Sequence, residues 1–353
     1  GVNFTGTVTG LPASGAGLIN GSSADTLQSA AALTTTAAVT TGIDAIALGN
    51  GAAADAEAVA IGKSTSTTNG NGVAIGNNAN GGEQAVGIGK NANASTKSAI
   101  AIGTDATANN LQSIAIGQDS DMTGAYGIAI GKTAQATGEQ AIVLGSDTTA
   151  SASLSLAVGY SAEATSERNV ALGYDAVAGG DQAFARQNTA IGSATIANNE
   201  QDTAVGAGAT ATGSRSTAIG SGADATGSRA VVVGSESSAT AFSSCVFGAF
   251  STATAEGATV VGGYGSSATA VDAIAVGKEA DATAIGAIAI GKLAQATVDG
   301  AVAIGSGVNA VTADTVTINN LQILDYANIN YADDAAAATG GIPLGGVYHT
   351  SVH

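Results

Sequence analysis

Ala99-Ile100-Ala101-Ile102-Gly103 decides the fold, because the same five-residue pattern returns along most of the chain. It recurs as Ala45-Ile46-Ala47-Leu48-Gly49, as Gly127-Ile128-Ala129-Ile130-Gly131 and as Ala301-Val302-Ala303-Ile304-Gly305. The closing glycines run from Gly49 to Gly173 and from Gly192 to Gly305, 19 in all, most of them 14 residues apart and a few 13 or 15. Within a unit the large aliphatics stand two apart with a small residue between them, which is the period of a β-strand. The glycine suits a corner where φ turns positive or backbones approach closely. Ala then recurs three and five positions on, as in Ala134 and Ala136, Ala162 and Ala164, and Ala294 and Ala296. Two very short strands and two turns use up the repeat, so one unit is one coil of a flattened solenoid.

Like units favour parallel stacking, with Ile on Ile, Ala on Ala and turn on turn. At a rise of about 4.8 Å per coil the stack is a rod of roughly 90 Å. A flexible Ala/Gly/Ser/Thr linker would not hold aliphatic phase over so many intervals. The alternating strand offers apolar atoms on both faces, more than one thin coil can bury. The resulting stripe far exceeds what a monomer leaves exposed, and packing of identical rods would cover it. The small Ala/Gly set is expected to permit that close approach between chains. Periodicity does not decide which strand face lies between chains, nor whether two or three chains assemble.

Composition agrees with a narrow architecture. Hydrophobic residues make up 45% of the 353, but aromatics only 3% with no Trp, so the apolar content is mostly Ala, Ile and Val. Such side chains fill a thin core better than a wide one. With 51 Gly but only 2 Pro, the chain is not a Pro/Gly-rich disordered tract. Asp and Glu number 27 against 10 Lys and Arg, a net charge of -17, and no basic cluster stands out, so a nucleic-acid partner is not expected. No stretch reaches 18 continuous apolar residues and the amino end shows no signal-peptide pattern, so direct membrane insertion is not expected. The lone Cys245 rules out an intrachain disulfide framework.

The pattern divides the chain into three parts. Residues 1–41 repeat weakly and are expected to form an amino-terminal cap or attachment segment; Asn3 to Pro12 begins with strand-like alternation and then turns. Residues 42–319 form the repeat rod, ending with Asn319 in the glycine position. Residues 320–353 form a carboxy-terminal cap, with a short helix over Tyr331 to Thr339 and a tight turn and strand over Gly340 to Tyr348. Inside the rod the step from Gly173 to Gly192 is 19 residues, which places an insertion near 183–188, where Ala183 to Gln187 looks like an aborted strand. A second irregularity is the 15-residue step containing Gly263, Tyr264 and Gly265.

Chemistry-bearing residues are sparse, and no catalytic, cofactor or metal site is expected. His349 and His353 sit at the extreme carboxy end without a metal-ligand signature, and read as part of an exposed terminal strand. Cys245 takes an aliphatic position of its coil and reads as a buried small hydrophobe rather than a nucleophile. Asp105, Asp119, Asp147 and Asp175 each follow a coil glycine by two positions. Asp105 and Asp119, in adjacent coils, would form a carboxylate ladder able to attract a divalent cation, but solvated turns are the simpler expectation. Lys63, Lys90, Lys132, Lys278 and Lys292 follow coil glycines directly and also read as solvated corners. Thr137, Thr165, Thr212, Thr226, Thr240, Thr254, Thr283 and Thr297 form one interrupted column, a poor match to the flat two-rank surface an ice-binding solenoid needs.

Units such as Gly127-Ile128-Ala129-Ile130-Gly131, followed by Ala134 and Ala136, resemble the head-domain repeats of trimeric autotransporter adhesins. The resemblance covers about residues 42 to 319 and implies an all-β, left-handed parallel β-roll packed as a homotrimer. The chain has no long heptad stalk after the roll and nothing like that family's membrane-anchor strands. Its ends, Asn3 to Pro12 and Gly340 to Tyr348, look more like virion appendages of tailed phages. The expected role is therefore a non-enzymatic structural rod of a phage tail fibre at the virion surface. Its partners would be other virion or fibre proteins at the chain ends, and a host-surface receptor. The alternative is the head of a bacterial cell-surface adhesin; ice binding is a minor third reading.

Overall fold

The computed structural model describes residues 18–20, 27–29, 38–41, 43–180 and 186–319. Each coil holds one three-residue strand and one two-residue strand, for example Ile128–Ile130 and Gln135–Ala136. Long strands pair only with long strands and short with short, giving two facing sheets. Pairing is parallel and in register: Ile100 lies against Ile114, Ala101 against Ala115 and Ile102 against Ile116, and Ile114 then continues to Ile128. The short strands do the same, with Asp121 against Gln135 and Met122 against Ala136. Stacked long strands run from Ile46–Leu48 to Val316–Ile318, 20 coils in all. Among the described residues there is no helix. The all-β parallel solenoid expected from the repeat is the fold.

Two left-handed residues per coil turn the chain. In one coil they are Tyr126 (φ 60°), before the long strand, and Thr133 (φ 54°), two after the corner glycine. The corner glycine itself cannot be replaced: Gly117 has φ +137°, and a Cβ there would lie 2.2 Å from the carbonyl oxygen of Gly131 in the next coil. Backbone bonds tie each corner to its neighbour, as when Gly131 N donates to Ile116 O at 2.8 Å.

The interior corrects the expectation about the small residues. Ala99, Ala101, Ala106 and Ala108 are all 0% exposed: the small set fills the space between the two sheets of one chain rather than lying between chains. Ala predominates at these inward positions, with Val143, Val232, Val246 and Val260 also fully buried. In one coil even a methyl at Gly87 would meet the carbonyl oxygen of Asn80 at 2.2 Å. The largest inward side chain has a local accommodation. Met122 is fully buried, and its Cε occupies the space that a Cβ on Gly127 would need.

One inward column turns polar in mid-rod. Asn169, Asn188, Asp202 and Ser216 occupy the same position in four successive coils, all fully enclosed. Asn169 Oδ1 accepts from Asn188 N, Asn188 Oδ1 from Asp202 N, and Asp202 Oδ1 from both the N–H and the hydroxyl of Ser216. Asn199 N donates to the other Asp202 oxygen at 2.9 Å. The ladder thus continues through side chains, which is how a buried polar column avoids the penalty of unmade bonds.

The long insertion leaves these ladders intact. Val170–Leu172 pairs directly with Thr189–Ile191, and Val177–Ala178 with Ile196–Ala197, so the five extra residues depart at a corner after the short strand. The aborted strand proposed at Ala183 to Gln187 falls largely on residues outside those described. The 15-residue step is absorbed by a register shift between Phe247 and Ala249, with the two strands lengthened to Cys245–Ala249 and Thr259–Tyr264. At the amino end Leu18–Asn20 runs antiparallel to Leu27–Ser29, whose Leu27 lies parallel to Ile46 of the first coil. Asn3 to Pro12 and the whole of 320–353, with its expected helix and strand, lie outside the described residues.

Candidate interaction surface

With Ala inside, the large aliphatics face outward. Ile128 and Ile130 flank buried Ala129 on the outer surface of the long-strand sheet, and the pattern repeats at Ile142 and Leu144, Val231 and Val233, and Ile288 and Ile290. Ile130 is 38% exposed, and Phe247 in the same column 43%. One apolar column, from Leu48 to Ile318, therefore runs unbroken along the rod, while the other is apolar in most coils and turns to threonine at Thr189, Thr203, Thr217 and Thr259. A patch of this extent is the mark of an interface. Cys245 lies in one of them, half-buried with its thiol pKa pushed up by burial. It is not enclosed within the chain as the sequence suggested, because the aliphatic position it fills points outward.

The opposite sheet presents polar residues. Asp121, Asp224 and Asp281 stand on its outer surface, each with its carboxyl pKa raised first by burial among its column neighbours. Near Asp281 the Glu279 charge adds to the rise, against a hydrogen bond with Gln295. Oδ1 of Asp121 and of Asp224 is shielded from solvent and makes no hydrogen bond.

The corners account for the remaining columns. Asp105, Asp119, Asp147 and Asp175 all have φ between 50° and 58°, so each is the left-handed residue of its turn, a conformation Asp and Asn tolerate better than most. In other coils Asn78, Asn91, Gly208 or Gly222 does the same work. Neighbouring side chains link along this corner, as when Asn91 Nδ2 donates to Asp105 Oδ1 at 2.7 Å and Thr133 Oγ1 to Asp147 Oδ1 at 2.5 Å. Beside Asp175, the Tyr174 phenol has its pKa raised by that carboxylate. Lys63, Lys90, Lys132, Lys278 and Lys292 are exposed next to this corner. The threonine column lies on the turn after the short strand, where Thr137 N donates to Ala150 O and Thr137 Oγ1 to Ser151 O. His349 and His353 lie outside the described residues.

Sequence reasoning missed the arginines. Arg168, Arg215 and Arg229 are the left-handed residues of their turns, with Arg186 beside Gln187 of the same column. The signal was in phase with the repeat: these three stand five residues before Gly173, Gly220 and Gly234.

A family model for the YadA head domain repeat (2 copies) matches ten segments between residues 36 and 307, together more than half of the chain, with 149–196 and 238–262 left between them. The chain belongs to the YadA head-repeat family. Matches at 97–120 and 123–148 take in coils whose geometry is described above, and those at 197–223 and 211–237 take in Arg215 and Arg229, whereas Arg168 and Arg186 lie between matched segments. The family is one of structural β-solenoid heads, and the resemblance drawn from the repeat is confirmed. No curated protein sequence matches the chain significantly.

Proposed function

We propose that the chain is the head of a homotrimeric adhesin displayed outside the cell on a bacterial surface. Three rods would bring their long-strand sheets together around a common axis, with the polar short-strand sheets facing water. The outward apolar columns carry this reading, since a monomer would leave them wet over 20 coils. Aliphatic side chains then form the core between chains, while Ala forms the core within each. The role is adhesive and structural rather than catalytic. The rod of a virion appendage would use the same coil, but membership of the YadA head repeats supports the bacterial head.

Native mass measurement tests the assembly. The wild-type chain is expected at three times its 33.3 kDa mass. Ile116→Glu with Ile130→Glu should yield monomers that retain β-sheet circular dichroism, because both side chains point out of the coil and a charge in a closed apolar interface lacks a partner. A monomeric wild type, or an unperturbed trimer in the double variant, would overturn the reading.

A further inference from the structure

All four arginines of the chain come to one edge of the rod within five consecutive coils. Backbone bonds stack their corners in sequence: Gln187 N to Glu167 O, Gln201 N to Arg186 O, Arg215 N to Glu200 O and Arg229 N to Ser214 O. At a rise of about 4.8 Å per coil, Arg168, Arg186, Arg215 and Arg229 are separated by about 5, 10 and 5 Å along the axis. None of the six lysines falls in these coils. The left-handed turn does not call for arginine, since Gly, Asn and Asp adopt it more readily. The guanidinium groups therefore have no explanation in folding.

The edge is also partly pre-arranged. Gln201 Nε2 donates to Gln187 Oε1 at 3.0 Å, and Arg215 Nε to Gln201 Oε1 at 3.3 Å. Arg229 lies over the exposed Phe242 ring at 5.4 Å and makes no ion pair among the described residues. Two carboxylates share the edge: Glu167 meets Arg168 at 3.3 Å and Arg186 at 3.8 Å, and Glu200 meets Arg215 at 3.1 Å. These pairs are solvent-exposed and weak, and a guanidinium retains donors for a second anion. A cleft of about 210 Å³ opens between Arg168, Arg186 and Glu200.

We propose that this edge binds an acidic polysaccharide, whose repeated carboxylate or sulfate groups meet the guanidinium row while a sugar face lies on Phe242. Planar forked donors match both anions. The rest of the chain is strongly acidic and repels polyanions, so binding requires a linear, locally repeated match, which a polysaccharide chain offers. The inference names a ligand class for the adhesive head and rests on that reading.

The test uses the purified full chain against immobilised heparin (sulfate and carboxylate), polygalacturonate (carboxylate alone) and neutral dextran, over a salt series, with native mass recorded in parallel. Wild type should bind a polyanion at low salt, release as salt rises, and ignore dextran. Binding to heparin alone assigns sulfate; binding to both shows that carboxylate suffices. Changing all four arginines to Gln should weaken binding about tenfold or more, while Lys63→Gln, Lys90→Gln and Lys132→Gln together leave it within about twofold. Three results would each overturn the proposal: no binding by wild type, equal losses in the two variants, or dissociation of the trimer in the arginine variant. The last would assign the arginines to contacts between chains. Because binding and mass are read separately, loss of the ligand and loss of the trimer are distinguishable.

Discussion

Asp202→Asn should make the rod less sensitive to pH. Asp202 is fully enclosed, and burial pushes its carboxyl pKa from 3.8 up to about 6 against the opposing hydrogen bonds from Ser216 and Asn199. The folded chain therefore holds this proton more tightly than the unfolded chain. The contribution to stability is fully present below pH 3.8, declines as pH rises, and is lost above about 6. At about 1.4 kcal/mol for each pH unit in that interval, the loss is about 3 kcal/mol per chain. Asn keeps the Oδ1 rung, as at Asn169 and Asn188, but its Nδ2 cannot accept from Asn199 N as Asp202 Oδ2 does, a cost that is the same at every pH, so the pH slope carries the test. Guanidinium unfolding of both proteins at pH 4, 5, 6 and 7.5 reads the difference. Asp121, Asp224 and Asp281 titrate in both and cancel. The variant should gain about 2.5 kcal/mol relative to wild type between pH 4 and 7.5. A difference that is flat with pH, or that grows toward acid, would refute the burial argument.

The tight corner and the methyl-packed interior give two further outcomes. Gly117→Ala places a Cβ 2.2 Å from Gly131 O at a φ that only glycine adopts readily, and should lower unfolding stability by at least about 2 kcal/mol in the same denaturant assay. Met122→Ala should destabilise by about 2–5 kcal/mol through the cavity it leaves. Gly127→Ala alone should also destabilise, because its new methyl collides with Met122 and with the Ala141 carbonyl oxygen at 2.7 Å; removing Met122 relieves only the first contact, so the double variant should lose less than the sum of the two single variants.

The repeat made the coil legible because aliphatic phase and glycine corners are both written in the chain. Which face is inside was not legible, since Ile128 and Ala129 are both apolar and alternation ranks them equally. The answer lies in the distance between the sheets, joined by turns at residues such as Tyr126 and Thr133, which suits Ala in most coils and seldom anything longer than Val. The aspartate columns were visible, but their left-handed backbone was not, and it is this that makes them turn residues. Arg168, Arg215 and Arg229 were overlooked because charge was read along the sequence, where they are far apart. Stacking reads the sequence modulo the coil, which brings them to one edge.

The hydrogen bonds of this solenoid run along the rod axis, and its strands lie across it. Tension applied between the ends of one chain therefore loads the ladder one rung at a time, as a zipper is opened, rather than shearing many bonds together. Each coil that peels away exchanges about 4.8 Å of rod for up to roughly 45–50 Å of extended chain. A tether built this way yields in small, repeated steps and lengthens greatly before it parts. In the proposed trimer, contacts made by the apolar columns would then set the force at which the first coil lets go.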